Sequence, residues 1–250
     1  MNVAMMQPTF MPWLGYFELI WKSDVFIMLD DFQFTVQSWH QRNRLFVNKD
    51  QVGWYTVPVR KAESFLASLN RTVINEDVPW RKKMLKRIQM NYGKAPCYKE
   101  IYPLVESWLL NEKPTLAEQN MCFVKSMCAC LNLACEFRNS SDMPTAGKRS
   151  QRVLELLEAC DATRYYSAQG AIGYMLADGV FPREGIQVLF QNFEHAPYAQ
   201  VGSSGSFVPS LSILDALMNT GTAKTLDLIT RGTSNWLTWE EALQSRHGAH

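Results

Sequence analysis

The chain has no excess charge of either sign. Its 250 residues carry 25 Lys and Arg against 24 Asp and Glu, a formal net charge of +1. Such a balance argues against a general polyanion binder, so no nucleic-acid partner is expected. No run of about 18 apolar residues is present, and no membrane-spanning helix is predicted. The opening MNVAMMQPTF lacks the basic start and long apolar stretch of a secretory leader, so a cytoplasmic location is expected. Histidine is scarce: His40, His195, His247 and His250. The last two fall in a terminal segment expected to fray. Histidine-based triads are therefore thinly supplied. The GxGxxG, Walker-type and HExxH patterns are missing, and the run GSSGS at 202–206 has no following Lys to serve a phosphate loop.

Cysteine is present but in the wrong pattern for zinc. Cys122, Cys128, Cys130 and Cys135 are clustered, with Cys97 and Cys160 apart. No CxxC knuckle occurs and no His accompanies the cluster, so buried thiols in a reducing compartment are expected and no metal centre. Aromatic residues are plentiful at 12%, including eight Trp, which suits a well-packed core or an aromatic-lined pocket.

The pattern along the chain predicts an α/β fold. NVAMMQ and SDVFIMLD read as strands separated by a helix over GYFELIWK. RLFVN and GWYTVPV read as strands, with a hairpin expected about NKDQVG. From about 79 to 133 the periodicity is helical, with Pro79 ahead of the first helix and Gly93 after it. Strands over CEFRN, RYYSA and IQVLFQNF then alternate with helices over KRSQRVLELLEAC and AIGYMLADG. Two further helices, SLSILDALMNTG and AKTLDLITRG, precede a tail over 233–250. This alternation predicts a mostly parallel sheet flanked by helices, Rossmann-like in its layers. The length suits one domain over 1–250 with a helical segment at about 79–133.

Ligands of open α/β sheets bind beyond the carboxyl ends of the strands. The polar residues predicted there are Gln7, then Asp30, Asp31 and Gln33, then Arg60 after Pro58, then Ser140, Ser141 and Asp142, and finally Ser167 and Gln169. Arg42 and Arg44 flank Asn43 in the densest polar run, DDFQFTVQSWHQRNR. Guanidinium forks suit phosphate or carboxylate, although ion pairs with Asp30 and Asp31 would use the same residues. The paired acids also admit a magnesium ion beside a substrate phosphate.

Four blocks together resemble the WbqC-like protein family along almost the whole chain: QPTFMPWLGYFELI (7–20), SDVFIMLDDFQFTVQSWHQRNRL (23–45) with GWYTVPV (53–59), RYYSAQGAIGYM (164–175), and YAQVGSSGSFVPSLSILDALMNTG (198–221). One departure is His40, where that family's pattern SWQNRNR has Gln. The resemblance implies a role in O-antigen or related polysaccharide synthesis, as a transferase that attaches a glycyl group to the amine of a nucleotide-linked amino-deoxy sugar. The glycyl group would arrive activated, as a thioester on an acyl-carrier-type protein or as an adenylate, with no other cofactor. The strand–loop–helix opening is also similar to that of nucleotidyltransferases, but PWLGY lacks both histidines of their HxGH signature.

Acyl transfer to an amine needs a deprotonated amine, a stabilised oxyanion and two reactants held together. Asp30 or Asp31 is the expected base or ammonium holder, and Gln7, Gln33 and Asn43 are expected donors to the oxyanion or to sugar hydroxyls. Arg42, Arg44 and Arg60 are expected to hold diphosphate, and Tyr16, Trp39 and Trp13 to stack on a ring. Ser167, Gln169 and Gly170, at a strand–turn–helix junction, are expected to take an anion. His195 is the other candidate for proton transfer. An ATP-using ligase and a non-catalytic scaffold of polysaccharide assembly are the alternatives.

Overall fold

A computed structural model describes residues 1–64 and 66–247; the side chains at 61, 62, 246 and 247 are not described, and His250 lies outside. The chain runs β1 (Asn2–Met6), α1 (Leu14–Lys22), β2 (Val25–Met28), β3 (Arg42–Asn48), β4 (Gln51–Thr56), α2 (Lys61–Ser64), α3 (Trp80–Tyr92), α4 (Tyr98–Leu110) and α5 (Leu116–Cys130). It continues through β5 (Glu136–Asn139), α6 (Arg149–Glu158), β6 (Arg164–Ala168), α7 (Ile172–Asp178), β7 (Gln187–Gln191), α8 (Ile213–Thr230) and α9 (Trp239–His247).

Five strands form one parallel sheet in the order β5-β2-β1-β6-β7. Both faces are covered, and the strand residues alternate between two cores as the two-residue period of a strand requires. Ala4, Phe26 and Met28 point into a core shared with α1, α3, α4, α5 and α8. Val3, Met5, Val25 and Ile27 point the other way, against α6, α7 and α9. The connections leave β1 toward β2 and β5 on one side and return to β6 and β7 on the other. The order therefore reverses between β1 and β6, where ligands of such sheets bind.

The hairpin expectation holds, but the strands of the hairpin are not part of the main sheet. β3 and β4 pair only with each other, antiparallel, around Lys49 and Asp50. Pro58 and Arg60 consequently do not sit on the main sheet's rim: Arg60 is exposed and paired with Asp77 and Glu63. The two C-terminal helices expected around Gly221 are both present: the run Ile213–Thr230, labelled α8, is broken at that glycine, whose φ of 76° and ψ of 177° are not helical. Ser212 caps its start by accepting from the Leu214 amide. The expected tail contains α9. Thr238 and Glu241 exchange hydrogen bonds as a capping box, a signal present in TWEE, and Trp239 packs on Phe190.

Two buried carboxylates tie distant segments together. Glu18 of α1 accepts from Gln191 of β7 and from the amide and hydroxyl of Thr233. Asp215 of α8 accepts from Tyr92, Tyr198, Gln200 and Asn219. Burial raises both carboxyls above their ordinary range, against the pull of these donors. The six cysteines are free, and burial pushes the Cys128 thiol up to about 12, which keeps it protonated and inert. No helix among the described residues is long and apolar enough to cross a membrane.

Candidate functional site

The ends of β1, β2, β5 and β6 bring Gln7, Asp30, Asp31, Ser140, Ser141 and Ser167 to one edge of the sheet, without Arg60. Asp30 follows β2 and is 4% exposed. Its carboxylate accepts from the Ser141 amide (3.0 Å) and hydroxyl (2.7 Å), from Ser140 (3.3 Å) and from Asn70 (3.3 Å). These bonds occupy both oxygens, so Asp30 joins β2 to the end of β5 and has little freedom to serve as a base. Asp31 is half-buried and pairs with Arg152 of α6, while Ser140 donates to its other oxygen. These partners hold its carboxyl below the ordinary value, although burial, the largest single influence, acts upward. An ionised carboxylate so paired is a weak proton acceptor; what it does plainly is hold Arg152, whose guanidinium lies 5.4 Å from the Phe32 ring.

A cavity of about 430 Å³ opens between β1 and β6, at the reversal of strand order. Its walls are mostly apolar, from Met5, Met6, Leu29, Phe32, Tyr165 and Tyr174, with polar points at Gln7, Ser167 and Arg149. Gly170 lies on its edge, exposed, with open space where a Cβ would stand. Ser167 is buried and donates to the Ala168 carbonyl. Gln169 is exposed, bonds Asn192, and lines a smaller neighbouring cleft.

A second cavity of about 320 Å³ lies next to the first, sharing Met6, and is walled by Thr9, Trp13, Tyr16, Trp39, Asn43 and Ser210. The QPTFMPWLGY loop shapes it. Trp13 folds back over Gly15, where a Cβ would fall 2.2 Å from the indole, so only glycine fits beneath that ring. Asn43 is buried and its amide donates to the Phe10 and Met11 carbonyls, fixing the loop on β3. Its donors are thereby spent, and the expected oxyanion role is not open to them. Tyr16 is buried too, its hydroxyl donating to the Gln7 carbonyl (3.3 Å), and it forms a wall more than a stacking face.

Trp39 is half exposed and packs on Trp54 at 5.2 Å. The Arg42 guanidinium lies over the Trp54 ring, 4.1 Å from its centre. Arg44, two residues along β3 and so on the same strand face, donates to the Ser210 carbonyl at 3.4 Å. The Nε groups of Arg42, Arg44 and Arg152 are buried and bond no protein atom. Gln7 lines the first cavity and accepts from His40 at 2.6 Å.

The residues expected to act together are thus divided. Gln7, Ser167 and Gly170 meet at the first cavity, and Tyr16, Trp39 and Asn43 at the second, with Arg42 and Arg44 beside it. Asp30 and Asp31 form a separate cluster with Ser140 and Arg152, and Gln33 and Arg60 lie on the surface. Arg149, Arg152 and Ser210 were not anticipated as site residues. The arginines could have been found from their place: they open the helix after β5, and such helices begin at the carboxyl rim. Ser210 gave no signal beyond its nearness to a helix start.

A five-stranded parallel sheet covered by helices on both faces, with an apolar cavity at its switch point, defines a doubly wound α/β protein. The WbqC-like protein family matches residues 7–226, and the chain belongs to that family. The uncharacterized protein Rv1507c of Mycobacterium tuberculosis is 32% identical over 222 residues, covering 88% of this chain and 94% of that relative. No solved structure matches the chain.

Proposed function

We propose that this protein is a glycyl transferase, joining an activated glycyl group to the amine of a nucleotide-linked amino-deoxy sugar in O-antigen or related polysaccharide synthesis. The observation that carries the reading is the second cavity: aromatic walls with two arginines beside them, Arg42 on the Trp54 ring and Arg44 on the Ser210 carbonyl. Sugar and base rings pack on aromatic faces, and a diphosphate takes up guanidinium donors in a geometry that a lone ammonium cannot match. Arg42 lies on Trp54, which packs on the lining residue Trp39, and Arg44 is bonded to the lining residue Ser210; in this reading both hold the diphosphate.

The first cavity suits the donor. Its apolar walls would take the pantetheine arm of a carrier thioester or the adenine of an adenylate, with Arg149 and Ser167 for its polar part. Because the cavities adjoin at Met6, two reactants would be held side by side. Such positioning can account for ~7–11 kcal/mol of a bimolecular barrier. In this arrangement Asp31 positions Arg152 and does not take the proton.

The test is to incubate the purified protein with amino-sugar nucleotides and a glycyl thioester and to look for a glycyl mass gain on the sugar. Tight binding of the sugar nucleotide with no gain from thioester, or from glycine with ATP, would replace the transferase with a binding protein.

A further inference from the structure

We propose that Ser210, on the wall of the second cavity, and His195 form a nucleophile–base pair, and that the Ser210 hydroxyl carries the acyl group between donor and amine. The identity of that acyl group rests on the glycyl-transfer reading; the pair itself rests on geometry. Ser210 Oγ lies 3.0 Å from His195 Nε2, and Ser210 lines the cavity. Its φ of +58° is in the left-handed region, where a serine is uncommon and where strained functional residues concentrate.

Aromatic packing orients the imidazole. Trp13 lies 5.2 Å from it and Phe193 5.0 Å. Phe193 is seated in turn on Gly232, where a Cβ would come within 2.0 Å of the ring. Partial burial lowers the His195 pKa, so the ring is neutral near pH 7 and its Nε2 lone pair can accept the serine proton. Arg44 holds the Ser210 carbonyl and sets a fixed positive charge next to the nucleophile.

The steps balance without a further reagent. Ser210 Oγ bonds to the carbonyl carbon of an aminoacyl thioester as its proton passes to His195 Nε2. The C–S bond breaks and the departing sulfur takes that proton. The sugar amine then attacks the ester carbon, the C–Oγ bond breaks, and the amine proton returns through His195 to Ser210. The products are an amide and a thiol, formed through an acyl-enzyme on Ser210.

A fluorophosphonate probe tests this without any substrate. The expected result is one adduct, located on Ser210 by peptide mapping of the unmodified sequence, and a labelling rate at least tenfold lower in His195→Gln at unchanged Tm. No adduct, an adduct on another serine, or equal labelling of His195→Gln would overturn the pair. Full glycyl transfer by Ser210→Ala would also overturn it while leaving the transferase reading intact. A labelled Ser210 in a protein that transfers no glycine would uphold the pair and remove the substrate assignment.

Discussion

His40 Nε2 donates to Gln7 Oε1 at 2.6 Å, and Ser38 meets the opposite ring nitrogen at 3.0 Å. An amide oxygen only accepts, so Nε2 carries the proton and Nδ1 takes the serine hydroxyl. The ring is buried, and that burial brings its pKa down to about 4 from 6.5. His40 therefore holds Gln7, a lining residue of the first cavity, as a neutral group.

This has a consequence for acid stability. Above pH 6.5 the ring is neutral whether the chain is folded or not, and it adds no pH dependence. Below 6.5 the unfolded chain binds a proton that the folded chain refuses, so stability falls as pH drops toward 4, by about 3 kcal/mol in all. His40→Gln, whose amide can donate to Gln7 in the same way, is expected to remove that loss. Urea midpoints from pH 7 to 4 for both proteins measure it; parallel curves would contradict the neutral assignment.

Arg42 has a buried, unpartnered Nε and lies on an exposed aromatic pair. Arg42→Ala is expected to weaken binding of a nucleoside-diphosphate sugar about ten- to a hundredfold, the loss of one charge-assisted contact of about 1.5–3 kcal/mol. Arg60→Ala, at a surface ion pair, should leave affinity within about twofold. Calorimetric titration of both separates the two arginines.

Gly15 lies directly beneath Trp13. Gly15→Ala must displace the indole, with an expected cost of about 1–3 kcal/mol and a change in the second cavity's wall. Lower thermal stability together with a shifted tryptophan emission would report it. A variant as stable as the original would mean that the ring has room to move.

Asp215 accepts hydrogen bonds from two tyrosines, a glutamine and an asparagine in a fully buried setting. Asp215→Ala strands those donors and is expected to destabilise the fold by about 3–5 kcal/mol. Denaturant unfolding measures this, and a loss below about 1 kcal/mol would show that the donors find other partners.

Local pattern made the parallel sheet legible: the apolar runs of β1 and β2, the alternation that follows Cys135, and the proline and glycine bounding α3 are all properties of neighbouring residues. The rim positions of Gln7, Asp30, Asp31 and Ser167 followed, because strand ends in a parallel sheet share one edge. Which of those side chains were free to act was not legible. Asp30 is saturated by Ser140, Ser141 and Asn70, from segments 40 or more residues away, and Asn43 is spent on the loop at 10–11. The meeting of Ser210 with His195, and of Arg152 with Asp31, likewise depends on chain crossings that no periodicity encodes. Sequence alone determined the elements and the edge of the sheet where polar groups collect, since those depend on propensity and spacing along the chain. Tertiary structure decided which groups are hydrogen-bonded to exhaustion and which face a cavity, since that depends on long-range packing.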